Sequence, residues 1–183
     1  SNDVAQLTLS LSMFAIAVGT LVYGPLSDKY GRRPIMLVGL AITLLGSIFC
    51  YLANTIELLI VGRFIQAFGG AVGLVLARAI VRDVYGAEDA ARVIATLVMV
   101  MVVIPMLSPA LGGELMSRFG WQSVFIVIAV LCIVSFMLLI RNLPETLENP
   151  VPFEGIGAMI NTFASLFKSR AFCGYAFCVT FVS

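Results

Sequence analysis

The sequence has no histidine, a single tryptophan, and charge on only 11% of its 183 residues. Without histidine, a His-held metal, a Ser-His-Asp triad and a Cys-His pair are all excluded. The shortage of charge excludes more. Soluble domains carry about 25% charged and about 45–50% apolar residues, whereas here 61% are hydrophobic. A water-soluble core cannot absorb that surplus, because polar surface must still face solvent. A soluble enzyme is ruled out, and a lipid bilayer is the expected environment. Charge is not concentrated by sign either: the net value is +1, which leaves no nucleic-acid footprint and no polybasic arm. Cys50, Cys132, Cys173 and Cys178 all lie in apolar stretches and read as buried thiols, not as a disulfide framework or a metal site. No cofactor is implied. No charged segment and small-residue cleavage site precede the first apolar run, so no signal peptide is expected.

What is present is a series of long apolar runs. A helix crossing ~30 Å of hydrocarbon needs about 20 mainly apolar residues. Five segments qualify: Val4–Leu26, Pro34–Ala53, Ile56–Val81, Val93–Met116 and Trp121–Ile140. A sixth run begins near Ala171 and stops at Ser183, about 20 Å as a helix and too short to span. The chain is therefore expected to be part of a larger membrane protein, with its first element missing and its last incomplete. Short polar connections at Ser27–Arg33, Asn54–Thr55, Arg82–Arg92 and Ser117–Gly120 force antiparallel neighbours and an up-down bundle. The stretch Arg141–Arg170 contains Pro144, Pro150 and Pro152 and reads as a linker, with Ile156–Phe167 as a surface amphipathic helix. Lys29, Arg32, Arg33, Arg78, Arg82, Arg92, Arg141, Lys168 and Arg170 lie toward one side and Arg118 toward the other. The positive-inside rule places the first side, with its loop and linker, in the cytoplasm.

The densest chemistry lies in Gly24-Pro25-Leu26-Ser27-Asp28-Lys29-Tyr30-Gly31-Arg32-Arg33-Pro34. One carboxylate and three cations share a tight turn, in which Gly31 admits positive φ and Pro34 suits the first position of the next helix. Asp28 lies against the negative end of its own helix and needs a cation or another helix's N-terminus. A merely charged turn explains the cations but not the joint spacing of Gly, Asp, Gly, Arg and Pro. A P-loop is excluded, since no G-K-[ST] follows a strand. Further along, Arg63 puts a cation inside an apolar helix, where it either faces a cavity or snorkels to the outer surface. Gly69, Gly70 and Gly73 read as a close helix contact. In the following helix Pro105 and Pro109 are expected to kink the backbone, and Gly112 and Gly113 to admit another helix. Glu114, near the outer end, reads as an interfacial carboxylate.

These stretches resemble the major facilitator superfamily. Gly24–Pro34 matches every position of the loop signature G-x-L-[SA]-D-[RK]-x-G-R-[RK]-P between that family's second and third helices. Arg63 and Gln66 resemble the R-x-x-Q-G-x-G run of its fourth helix, with the glycines displaced to Gly69 and Gly70. Pro105 to Gly113 resembles the antiporter motif G-x-x-x-G-P-x-x-G-G, with Ile104 and Ser108 replacing two of its glycines. Leu143-Pro144-Glu145-Thr146-Leu147 resembles the P-E-T signature that ends the sixth helix of many drug exporters. Gln6–Ser10, the charged loop, and Ala77–Tyr85 are most similar to the bicyclomycin/chloramphenicol-resistance type of bacterial drug:proton antiporters.

The resemblance implies an all-α integral membrane bundle, here helices 2–6 plus the start of helix 7. Residues 1–141 would be an N-terminal half lacking its first helix, 142–170 a cytoplasmic linker, and 171–183 the start of the C-terminal half. It implies a transporter of the bacterial inner membrane, not an enzyme, that exports small lipophilic drugs in exchange for protons. Its partners would be drug, protons, lipid and the remainder of the transporter. Gly24, Asp28, Gly31, Arg32 and Arg33 would form a cytoplasmic charge latch. Arg63, Gln66, Gly70, Met101 and Pro105 would line a coupling or substrate cavity, and Ser108, Pro109, Gly112 and Gly113 would form the antiporter-motif helix. The usual proton-binding carboxylate belongs to the first helix of that family. Proton-coupled import of a small metabolite is the alternative, because importers share the latch loop; a non-transporting membrane scaffold is a third class.

Overall fold

The computed structural model describes residues 2–146, except for the side chains of residues 2–5, 87 and 88. The expected linker beyond residue 146, the helix Ile156–Phe167, Cys173, Cys178 and the run 171–183 lie outside the described residues. Within them the apolar runs become helices: α1 (Asn2–Tyr30) and α2 (Arg32–Tyr51), then a helical run Ile56–Phe119. The backbone of Gly86, at φ 69°, divides that run into α3 (Ile56–Gly86) and α4 (Asp89–Phe119). The last helix is α5 (Ser123–Asn142). All five are long and apolar enough to cross a membrane, and a helix satisfies its backbone polar groups internally, as hydrocarbon demands.

The connections are shorter than hydropathy suggests. The expected loop Ser27–Arg33 is helical except at Gly31, and Arg82–Arg92 is helical on both sides of Gly86. Polarity marks where a helix leaves the hydrocarbon, not where it ends, and Arg, Lys, Glu and Ala are good helix formers. Pro34 consequently falls at the third helical position, not the first; its missing N–H is still one of the unpaired first-turn donors. Pro105 and Pro109 lie inside helical backbone, and the break in that run falls at Gly86 instead. At the other end of the bundle, Thr55 caps α3 by accepting the Leu58 N–H at 3.3 Å.

Packing follows a stripe of small residues. Ala15, Gly19, Tyr23 and Ser27 are buried on α1 at four-residue steps, hence on one face. Ile35, Gly39, Thr43, Gly46, Ser47 and Cys50 are buried on α2, and Gly62, Gln66, Gly69, Val72 and Leu76 on α3. The backbones meet closely along this seam. A Cβ on Gly69 would lie 2.5 Å from the Thr43 backbone nitrogen, and one on Gly19 2.7 Å from the Ala71 Cβ. Gly46 sits against the Gln66 backbone, and Gly62 against Cys50. The expected contact at Gly70 and Gly73 does not form: open space surrounds both among the described residues. Neither points into the seam, because the stripe on α3 runs through Gly62, Gln66 and Gly69.

Candidate functional site

The charged turn folds around Arg32. Helix α1 runs on to Tyr30, so Asp28 lies one turn before Arg32 and pairs with its guanidinium. The same guanidinium donates from Nε to Asp83 Oδ2 at 3.0 Å, which joins the start of α2 to the C-terminal end of α3. It also donates to the Ser27 hydroxyl at 2.6 Å, and that hydroxyl donates to the Gly24 carbonyl at 2.7 Å. Arg32 is thus one planar cation shared by three acceptors, a role its fork suits and a lysine's point charge does not. Its side chain is 12% exposed, against 25% for Asp83 and 46% for Asp28. Asp28 therefore has its cation and keeps an open face. Arg33 turns elsewhere, donating to the Ile140 carbonyl at 2.9 Å. Gly24 has open space over its Cα, and Gly31, at φ 98°, makes the turn.

A second polar group lies inside the bundle. Arg63 donates to Gln66 Oε1 at 3.3 Å, and Gln66 Nε2 donates to Ser47 Oγ at 2.8 Å. Ser47 in turn donates to the Thr43 carbonyl at 2.8 Å, and Thr43 to that of Gly39 at 2.9 Å. Gln66, Ser47 and Thr43 are buried and run down the α2–α3 seam, so Gln66 clamps two helices. Arg63 is half-buried at the outer end of that chain, its guanidinium 5.2 Å from the centre of the Phe125 ring. A cation over an aromatic face is attracted by the ring quadrupole, more so where water is scarce. Phe125 belongs to the first turn of α5 and meets Trp121 edge-on at 6.0 Å.

The other expected residues stand apart from these two groups. Gly70 and Pro105 are exposed and Met101 is half-buried. Ser108, Pro109 and Gly113 are exposed, Gly112 is half-buried, and both glycines are surrounded by open space among the described residues. Glu114 pairs with Arg118 on the same helix at 2.5 Å, both side chains more than 60% exposed. The structure adds Ser47 and Phe125, which no motif contained, and gives partners to Ser27 and Asp83, which lay in quoted stretches without an assigned role. Asp83 had a signal: it closes the run Arg78 to Asp83 at the latch end, where an acid is needed to balance the turn's cations. Phe125 had none, since one aromatic among many apolar residues carries no mark of the cation above it.

Comparison with known proteins follows the same line. The whole chain, residues 1–183, matches the family profile described as Major Facilitator Superfamily. A Bacillus subtilis (strain 168) protein named uncharacterized MFS-type transporter YdgK is 36% identical over 186 residues, covering 100% of this chain and 46% of that protein. The bicyclomycin resistance protein homolog of Haemophilus influenzae is 30% identical over 183 residues, covering 99% and 46%. The Escherichia coli multidrug resistance protein MdtL is 34% identical over 166 residues, covering 87% and 42%. The chain spans just under half the length of these relatives. Helices, charged turn and the match over its whole length agree: the chain is a multi-pass membrane chain that belongs to the Major Facilitator Superfamily.

Proposed function

We propose that this chain supplies most of the N-terminal half of a secondary active transporter that exports small lipophilic drugs in exchange for protons. In this reading the latch turn and the segment 142–170 face the cytoplasm, and 171–183 opens the second half. The observation that carries it is Arg32, held by Asp28 and Asp83 in a turn of the family's latch signature, with Asp28 left open on one face. A carboxylate so placed is suited to meet a second half of the molecule and hold the cytoplasmic side shut while the cavity faces outward. Loss of that contact then lets the halves rock the other way, giving alternating access around a midplane site.

Export of drugs is supported by the names of two relatives, one a multidrug resistance protein and one a bicyclomycin resistance protein homolog. Proton coupling is assigned to Arg63, a half-buried cation within a spanning helix. Such a charge competes with a proton for a carboxylate in the full-length cavity and so links proton release to substrate arrival. Gly70, Met101 and Pro105 are assigned to the cavity wall with it, and the helix of Ser108, Pro109, Gly112 and Gly113 to the contact with the second half. The test is drug accumulation in everted membrane vesicles containing the full-length protein under an imposed pH gradient. Gradient-driven accumulation is expected. Uptake into whole cells in its place would indicate the importer reading.

A further inference from the structure

Helix α2 begins poorly on its own resources. Its N-cap is Gly31, which has no side chain, and its first turn contains no acid. Arg32 and Arg33 instead put two cations at the positive end of the helix dipole, the unfavourable sign. The acid comes from the other end of the described chain. Glu145, beyond the end of α5, accepts the Arg32 backbone N–H on Oε1 at 2.8 Å and the Arg33 backbone N–H on Oε2 at 3.3 Å. Pro34 has no N–H, so these two are the donors that the first three residues of α2 possess. Gly31 makes the approach possible: a Cβ there would lie 2.5 Å from Oε2. The junction is closed a second time by Arg33, whose guanidinium takes the Ile140 carbonyl in the last turn of α5 at 2.9 Å.

We propose that Glu145 is a positioning residue, a carboxylate clasp that supplies the N-cap of α2 from beyond α5 and ties the chain leaving α5 to the charge latch. Arg32 is the shared part. Its backbone N–H is held by Glu145 while its side chain is held by Asp28 and Asp83. Removing the clasp frees the start of α2 at the residue that carries the latch cation. Loss of the clasp is thereby felt at Arg32 and loosens the pairs that its guanidinium makes. The consequence for transport rests on the antiporter reading; the clasp itself does not.

The experiment uses the full-length protein with Glu145→Ala and Glu145→Gln, read by amide hydrogen exchange of peptides covering residues 28–36. Exchange at Arg32 and Arg33 is expected to rise about tenfold with alanine, the scale of a lost helix cap, and less with glutamine, which still accepts one N–H. Unchanged exchange in Glu145→Ala overturns the clasp. A double-mutant cycle then separates positioning from mere capping. In the Glu145→Ala background the melting-temperature loss caused by Asp83→Asn should shrink to about half or less, because Arg32 is no longer held toward Asp83. Additive losses would mean that the cap is structural only, and would overturn the positioning role. Glu145→Gln keeps the comparison usable if the alanine variant does not fold. Neither readout requires transport, so a wild-type protein that moves no drug would defeat the antiporter reading and leave the clasp to be decided by exchange and coupling.

Discussion

The α2–α3 seam and helix α4 are built from similarly apolar sequence and meet opposite fates. In the most apolar stretch of α2, 33% of residues are buried, whereas none are in that of α4. Met99, Met106 and Leu111 of α4 are 68%, 76% and 63% exposed. Hydropathy alone cannot separate the two, because lipid and a helix neighbour are equally apolar. Small residues in a repeating stripe do separate them: Gly39, Thr43, Gly46, Ser47 and Cys50 let α2 touch the backbone of α3. Helix α4 carries its small pair, Gly112 and Gly113, with open space over both among the described residues. In a water-soluble protein so much bare apolar surface would aggregate; against lipid, or against the second half of a transporter, it is the ordinary condition of a membrane helix.

The sharpest way to break that comparison is to add volume to each region. Gly69→Val should destabilise the bundle by about 3 kcal/mol or more, beyond the usual overpacking range, because its Cβ meets backbone that cannot rotate away. Thermal unfolding in detergent would register the loss. Gly113→Val should leave the same unfolding curve in place. If α4 faces the second half, it should lower transport by the full-length protein none the less. Equal losses of stability from both substitutions would erase the distinction between seam and bare helix.

Arg63 ends the polar chain of the seam, between Gln66 of α3 and Phe125 of α5. Arg63→Gln should insert and fold, since removing a charge from a span relieves a cost of roughly 2.5 kcal/mol on insertion scales. Drug efflux at a fixed pH gradient, normalised to inserted protein, should fall about tenfold or more, and Arg63→Lys should retain part of it. Wild-type efflux by Arg63→Gln would return the residue to a snorkelling role beside Phe125. At the latch the expected differences are smaller. Asp83→Asn removes the more buried, interhelical partner of Arg32 and should cost ~1–3 kcal/mol; Asp28→Asn, half-exposed and one turn away, should cost ~1 kcal/mol or less in this bundle. In the full-length protein Asp28→Asn should nevertheless shift cysteine accessibility toward the inward-open form; unchanged accessibility and transport would reduce the turn to a topogenic charge cluster. The smallest effect belongs to Glu114→Gln, within about 0.5 kcal/mol, since its pair with Arg118 is exposed and screened.

Much of the fold was legible because it depends on quantities that add along the chain. Five spans follow from runs of apolar residues, and the latch turn from a spacing of Gly, Asp, Gly, Arg and Pro that few other structures require. The ends of the helices were less legible. Arg82 to Arg92 reads as a loop by polarity but is a good helix-forming sequence, and only Gly86 interrupts it. Partners across the chain were legible least. That Arg32 would take Asp83, or Glu145 the start of α2, depends on which helix ends meet, and no local pattern states this. Gln66 shows the same limit from the other side: as a polar residue in a span it reads as a cavity group, yet its amide is spent on Ser47 within the seam.

Proton-driven drug exchange is tested most directly by watching the proton. In everted vesicles carrying the full-length protein, respiration acidifies the lumen and quenches a pH-sensitive dye. Addition of a lipophilic drug should then release part of the quench as protons leave in exchange, and Arg63→Gln at equal abundance should not. Drug accumulation with no proton release, or equal release by Arg63→Gln, would contradict the coupling assigned to this half of the molecule.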